Sequence, residues 1–138
     1  MELGKYKAFI STLIVDEVTC ILLKQKASEL LNEDRHYKIV NQLKENKNLF
    51  LKCYEIAQKH IDYILALEQK GVLSIINQMP DLNLFSSTMN QYWLFPRNAT
   101  HLSIMLSYNI PHIITTDKDF LRVDQIKVHS CDSAMFIK

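Results

Sequence analysis

Hydrophobic residues in the first part of the chain predict one strand followed by a helix. The apolar run 8–10 is short, and Ser11 or Thr12 directly after it can accept unpaired N–H groups at the start of a helix. No glycine or proline interrupts residues 12–31, and Asn32 readily takes the left-handed backbone that ends a helix. The pattern therefore predicts a strand at 8–10 and a helix over 12–31.

A second helical region is predicted from residue 35 to residue 69. The polar run 46–48 marks a break in it, and Gly71 supplies the residue that ends it. Apolar positions recur at helical spacing after the break, which indicates one face turned towards a core. That face comprises Cys53, Ile56, Ala57, His60, Ile61 and Ile64.

Strand and helix patterns alternate through the rest of the chain. The expected elements are strands over 72–76, 112–116 and 126–129, helices over 86–93 and 98–108, a stop at Asn109 and a turn over 118–122. This alternation predicts an α/β fold with a mainly parallel sheet and helices on both of its faces. The 138 residues, 48% of them hydrophobic, fit a single domain over 1–138.

Composition excludes several classes of function. The 16 Lys and Arg against 15 Asp and Glu give a net charge of +1, so any nucleic-acid contact must be local. The two glycines, Gly4 and Gly71, are too few for a phosphate loop or a dinucleotide fingerprint. Asp16 and Glu17 interrupt the apolar stretch 8–23, so we expect no membrane span and a soluble, cytoplasmic protein.

The cysteines and histidines show no spacing typical of metal sites. Cys20, Cys53 and Cys131 are odd in number and far apart, which predicts buried, reduced thiols rather than disulfides or a zinc knuckle. None of the histidines has the H-E-x-x-H spacing, and a zinc or general-base role would require two of them to converge in space. We therefore assign them no catalytic role.

Three carboxylates occupy positions that suggest chemistry. Glu17 shares a helix face with Leu13 and Ile21, so it needs a hydrogen-bonding or basic partner there, or a metal ion. Asp117 and Asp119 follow the third predicted strand, where acids suit turns and helix caps. Acids gathered at the carboxyl end of a parallel sheet also suit a hard cation such as Mg²⁺. Both interpretations stay open.

The segment that leads into the helix at 98–108 adds two polar side chains. Asn98 is a natural helix cap, and its amide oxygen can also coordinate a cation. Arg97 is suited to hold a phosphate, although a single arginine is more often simply solvated. The two residues are therefore candidates for binding rather than for catalysis.

Three segments resemble the PIN-domain family of ribonucleases, which includes the VapC-type toxins of toxin–antitoxin pairs. The first extends from AFIS at 8–11 through VDEV at 15–18 to the leucines at 22–23. The second is PRNATHL at 96–102, and the third, the most specific, is IPHIITTDKDF at 110–120. With their spacing, the three segments cover nearly the whole chain.

The resemblance implies a three-layer α/β sandwich with an acidic pocket that binds Mg²⁺ or Mn²⁺, where a metal-activated water attacks an RNA phosphodiester. Glu17 and Asp117 match metal-binding catalytic acids, and Asp119 matches a supporting catalytic acid. Arg97 and Asn98 are then expected to contact the substrate. RNA is the implied substrate, an antitoxin protein the implied partner, and a homodimer the expected assembly.

The chain departs from the family pattern in two places. Family members open with a central strand that bears an Asp, before the segment that begins here at about Tyr6, and they have a third acid where this chain has Asn98. Loss of these acids should weaken Mg²⁺ binding, and loss of the strand should expose or rearrange strand edges. Three interpretations follow: a PIN-type endoribonuclease; a catalytically silent PIN-like module that binds an antitoxin, RNA or another copy; or a fragment of a longer reading frame.

Overall fold

The computed structural model of the protein describes residues 6–136; residues 1–5 and 137–138, the ends of the expected single domain, lie outside the described residues. The described chain is mixed α/β and mostly helical, with parallel strand pairs. Its contacts group it into two compact units that divide between Asn77 and Gln78. Over residues 6–136, no helix combines the length and the apolar character needed to cross a membrane.

The first unit comprises β1 (Ala8–Ser11), α1 (Thr12–Leu31), α2 (His36–Glu45), α3 (Lys47–Gln69) and β2 (Leu73–Ile76). Ser11 begins α1 by accepting the N–H of Ile14 at 3.2 Å, and Asn32 ends it with a φ of 48°. β1 and β2 pair in parallel, with Ser11 opposite Ile76. The predicted first strand and helix are therefore confirmed.

The predicted break in the second helical region is also confirmed. Asn46 separates α2 from α3, and its side chain accepts the N–H of Leu49 at 3.1 Å. Gly71, with a φ of 71°, follows α3 in the left-handed conformation that glycine adopts without strain. The core of this unit is formed by Ala27, Ile39, Leu49 and Cys53, with Leu23, Leu31 and Leu43 packed against them.

The second unit comprises α4 (Leu82–Tyr92), α5 (Pro96–Ser107), β3 (His112–Ile114) and β4 (Lys127–His129), with 3-10 turns at Lys118–Arg122 and Ser133–Phe136. β3 and β4 pair in parallel, with Ile113 opposite Val128, and both of these side chains face the core. That core is formed by Tyr92, Leu94, Ala99, Leu102, Phe120 and Val123.

Two helices of this unit begin earlier than the sequence predicted. α4 begins at Leu82 because the Asp81 carboxylate caps it, accepting the N–H of Leu84 at 2.9 Å. α5 begins at Pro96, whose fixed φ and missing N–H suit the first position of a helix. Asn98 is consequently the third residue of α5, and its interpretation as a helix cap was wrong.

The strands form two separate parallel pairs in the part of the chain that the structure describes, rather than one continuous sheet. Parallel pairing itself was predicted and is confirmed. Two-stranded sheets have little stability of their own. The helices that pack beside each pair must therefore supply most of the apolar burial that holds these strands in place.

Candidate functional site

Asp117 is at the centre of a hydrogen-bonded group at the carboxyl end of β3. Its Oδ1 accepts the backbone N–H of Asp119 at 2.9 Å, which begins the 3-10 turn. Its Oδ2 accepts the side-chain amide of Asn98 at 2.8 Å, and its own N–H donates to Thr115 Oγ1 at 3.0 Å. The structure thus brings Asn98 and Asp117 together, and both carboxylate oxygens of Asp117 already accept hydrogen bonds.

Asp119 forms an ion pair within the same turn. Its Oδ1 lies 2.8 Å from Arg122 Nη2, and both side chains are partly exposed. The other terminal nitrogen of Arg122 donates to the carbonyl of Trp93 at 3.0 Å. The negative charge of Asp119 is therefore matched locally by a cation that the sequence analysis did not single out, although the i,i+3 spacing from Asp119 to Arg122 was visible.

Trp93, beside this turn, has an unusual backbone and an unusual exposure. It ends α4 with φ 55° and ψ 41°, the left-handed conformation, and the residue is 79% exposed. That conformation costs an L-residue other than glycine roughly 1–2 kcal/mol. The contact from Arg122 to the Trp93 carbonyl helps to hold the residue there.

The other two predicted site residues are Arg97 and Glu17. Arg97 is exposed at the second position of α5. Glu17 is half-buried on α1, in the first unit, whereas Asn98, Asp117 and Asp119 belong to the second. Ile21, one turn after Glu17, is 52% exposed, so the apolar stripe predicted around Glu17 does not face a core.

The donor set around Asp117 can be compared with what Mg²⁺ requires. Carboxylate and amide oxygens are suitable ligands for this hard cation. Asn98, however, turns its NH₂ group and not its oxygen towards Asp117, and Asp119 is paired with Arg122. Within residues 6–136, no three His, Cys, Asp or Glu side chains are grouped so that they could share a metal ion. As arranged, these residues do not fit a preformed divalent-cation site.

An open apolar groove of about 530 Å³ lies on the first unit, between α1 and the junction of α2 with α3. Its apolar lining comprises Cys20, Leu23, Val40, Leu43 and Phe50. Three lysines and one glutamate complete the lining: Lys24, Lys44, Lys47 and Glu45. The groove therefore joins an apolar floor to an excess of positive charge.

The cysteines only partly follow the expectation of buried thiols. Cys53 is fully buried, and burial raises the pKa of its thiol. Cys20 and Cys131 are exposed, so that interpretation was wrong for both. Cys20 lines the groove, so a reagent attached to its exposed thiol would label that surface.

No protein-family model, curated protein or solved structure matches the chain. The case for a PIN-like protein consequently depends on the residues themselves: the three sequence segments, and the position of Asp117 and Asp119 directly after β3.

Proposed function

We propose that the chain is a PIN-like module, built on the family's three-layer plan, that is catalytically silent and binds a helix of an antitoxin-type protein. The contact between Asn98 and Asp117 carries the proposal. The side-chain amide of Asn98 donates to Asp117 Oδ2 at 2.8 Å, from the position where the family pattern has a third carboxylate. Asp119 forms an ion pair with Arg122, so Asp117 and Asp119 are both engaged in contacts within and around the turn.

The groove on the first unit supports a helical protein partner. An apolar floor with a charged rim suits an amphipathic helix, which buries one face and leaves the other in water. The lysine excess at the rim favours a helix whose flanking residues are acidic, because opposite charges steer association and fix orientation. RNA is less well suited to this groove, since its floor offers no exposed aromatic platform other than the partly exposed Phe50.

A designed amphipathic peptide with glutamates along its polar face tests the binding function. We expect saturable binding by fluorescence polarisation, weakened about tenfold, or by about 1.4 kcal/mol, in the double reversal Lys44→Glu/Lys47→Glu. Lys59→Glu, an exposed reversal on α3 outside the groove lining, is the matched control and should bind normally. Equal affinity for all three proteins would exclude the groove as the binding surface.

The catalytic part of the proposal is tested separately. Pure protein incubated with RNA and Mg²⁺ or Mn²⁺ should cleave no faster than Asp117→Asn. Cleavage that depends on Asp117 would overturn the proposed silence while leaving the groove result unaffected.

A PIN-type endoribonuclease is the second candidate, because Asp117 and Asp119 stand together at the carboxyl end of β3. It assigns Glu17 and Asp117 as ligands of Mg²⁺ or Mn²⁺, Asp119 as the supporting acid, and Arg97 and Asn98 as substrate contacts. The cation would supply an activated water for attack on an RNA phosphodiester. Loss of RNA cleavage in both Glu17→Gln and Asp117→Asn would establish this candidate over the first.

A further inference from the structure

Two histidines converge on the second unit, at a place the proposed function does not use. Nδ1 of His112 on β3 lies 3.0 Å from Nε2 of His129 on β4. The ring centroids are 5.2 Å apart, and the ring planes are tilted by 43°. Both residues are exposed, so the pair is open to solvent. The spatial convergence that a histidine metal site requires is thus present here.

The strand register explains why the two rings meet. Side chains alternate across a strand, and the paired Ile113 and Val128 face the core, so His112 and His129 share the opposite, outward face. On that face His112 is paired with Lys127 and His129 with Ile114, so the two histidines are diagonal neighbours, close enough for long side chains to touch. Backbone bonds fix both ends of this short pair. The N–H of Lys127 donates to the carbonyl of Pro111 at 2.7 Å, and the N–H of Thr115 donates to the carbonyl of His129 at 2.9 Å. These backbone hydrogen bonds therefore hold the two strands that carry the histidine rings in a fixed register.

The spacing of the two nitrogens suits a shared metal ion. A metal–imidazole bond is about 2.0–2.1 Å long, so two such bonds at angles from square-planar to tetrahedral hold their nitrogens about 2.9–3.4 Å apart. The observed 3.0 Å lies within that span. Without a metal these two nitrogens form a hydrogen bond, so one of them carries a proton. A metal ion replaces that bond once the proton moves to the other nitrogen of its ring, which leaves both facing nitrogens available as ligands.

We propose that His112 and His129 form a cross-strand site for a divalent transition metal such as Ni²⁺, Cu²⁺ or Zn²⁺, with water completing the coordination. Imidazole ligands select this class of ion, whereas Mg²⁺ and Ca²⁺ prefer oxygen donors. The bound ion ties β3 to β4 and thereby stabilises the crossover that carries Asp117. The site is independent of whether the protein is a nuclease or a binding module.

Ni²⁺ titration of the untagged, metal-free protein by calorimetry tests the site, since Ni²⁺ does not oxidise the free thiols. We expect one bound ion per chain, with affinity lowered at least tenfold in His112→Ala and in His129→Ala. His36→Ala, an exposed histidine on α2, is the matched control and should bind like the unaltered chain. Unchanged affinity in either strand variant would overturn the proposal.

Two further measurements keep the test independent of folding defects. Ni²⁺ should raise the Tm of the unaltered chain, and a chelator should reverse the rise. The His112→Gln variant should remain folded by circular dichroism, but Ni²⁺ should not raise its Tm. Cys131→Ser should retain the full Ni²⁺ affinity, because the exposed thiol two residues after His129 is not a ligand in this arrangement. Loss of binding in Cys131→Ser would assign the ion to the thiol and refute the histidine site.

Discussion

Asn98 donates its side-chain amide to Oδ2 of Asp117 at 2.8 Å, joining the first turn of α5 to the crossover that follows β3. The second oxygen of the same carboxylate begins the 3-10 turn through the N–H of Asp119. One carboxylate thus holds two segments that are 19 positions apart, counted from residue 98 to residue 117. The contact distinguishes the two candidate functions. Asn98 donates a hydrogen bond to Asp117, whereas an acid at position 98 would repel Asp117 unless a cation lay between the two carboxylates.

Asn98→Asp should convert the contact from attraction to repulsion. Two carboxylates at hydrogen-bond distance disfavour each other's charged form, and the bond from Asn98 is lost as well. We expect the free energy of unfolding at pH 7 in EDTA to fall by about 1–3 kcal/mol. Millimolar Mg²⁺ or Mn²⁺ should restore part of it, because a hard cation can bridge the two acids. Urea unfolding with and without cation measures both effects.

Asn98→Ala is the control for that experiment. It removes the hydrogen bond without adding charge, so its loss of stability should not respond to Mg²⁺. An Asn98→Asp protein that is as stable in EDTA as the unaltered chain would contradict the assigned contact.

The buried hydroxyls of Thr88 and Ser103 should stabilise the packing of α4 on α5. Their oxygens lie 3.0 Å apart, and both residues are almost completely buried. Ser103→Ala leaves Thr88 with its bond to the Phe85 carbonyl, so we expect a loss of about 1 kcal/mol in a denaturant titration. Ser103 Oγ also donates to the Ala99 carbonyl, four residues back on α5, at 2.7 Å. Ser107→Ala removes the corresponding bond, to the Ser103 carbonyl at 2.8 Å, at an exposed position and should change stability by less than about 0.5 kcal/mol. Equal losses at the two positions would argue against a role for burial.

Glu33 should make stability depend on pH in the acid range. Arg35 holds the pKa of the Glu33 carboxyl at about 2, against an ordinary 4.5, chiefly through its side-chain hydrogen bonds and then through its backbone N–H. A lowered pKa in the folded state stabilises the protein above pH 4.5, and the contribution disappears as the pH falls from 4.5 to about 2. The difference in Tm between the unaltered chain and Glu33→Gln should shrink across that window.

NMR titration provides the direct measurement of the same interaction. The Glu33 carboxyl should titrate near pH 2, and in Arg35→Ala its pKa should move back towards 4.5. A midpoint near 4.5 in the unaltered chain would refute the Arg35 contact.

The three thiols should react in two classes. Cys20 and Cys131 are exposed, whereas Cys53 is fully buried with a pKa raised by burial, which keeps it in the unreactive thiol form. Ellman's reagent should therefore modify two thiols in the native protein and the third only after denaturation. In Cys53→Ala the two exposed thiols should still react, and no third thiol should appear after denaturation. Three fast thiols would mean that the core around Cys53 opens readily.

Sequence patterns predicted the elements best where a local signal sets both ends. Ser11 and Asn32 bound α1 through a side-chain cap and a left-handed residue, which are properties of single residues. Asp81 and Pro96 provide the same kind of signal, whereas the hydrophobic pattern alone predicted that both helices begin later. At all four positions the residue type alone is enough to indicate where the helix begins or ends.

Features that depend on residues far apart in the sequence were harder to predict. Residues 112–116 and 126–129 were both predicted as strands, but the sequence does not say that Ile113 pairs with Val128, and this register makes His112 and His129 diagonal neighbours. Asn98 and Asp117 were both selected as site residues, yet the sequence does not say which end of an amide faces a carboxylate. That orientation decides between a ligand and a hydrogen-bond donor.

Trp93 is the chain's one tryptophan; the residue is largely exposed to water, and its backbone carbonyl contacts Arg122. Its fluorescence will therefore change little when the protein unfolds, so tryptophan fluorescence alone will be a poor measure of unfolding. The same placement makes the indole an intrinsic reporter for molecules that approach the turn at Asp119, so contacts there can be followed without attaching a dye.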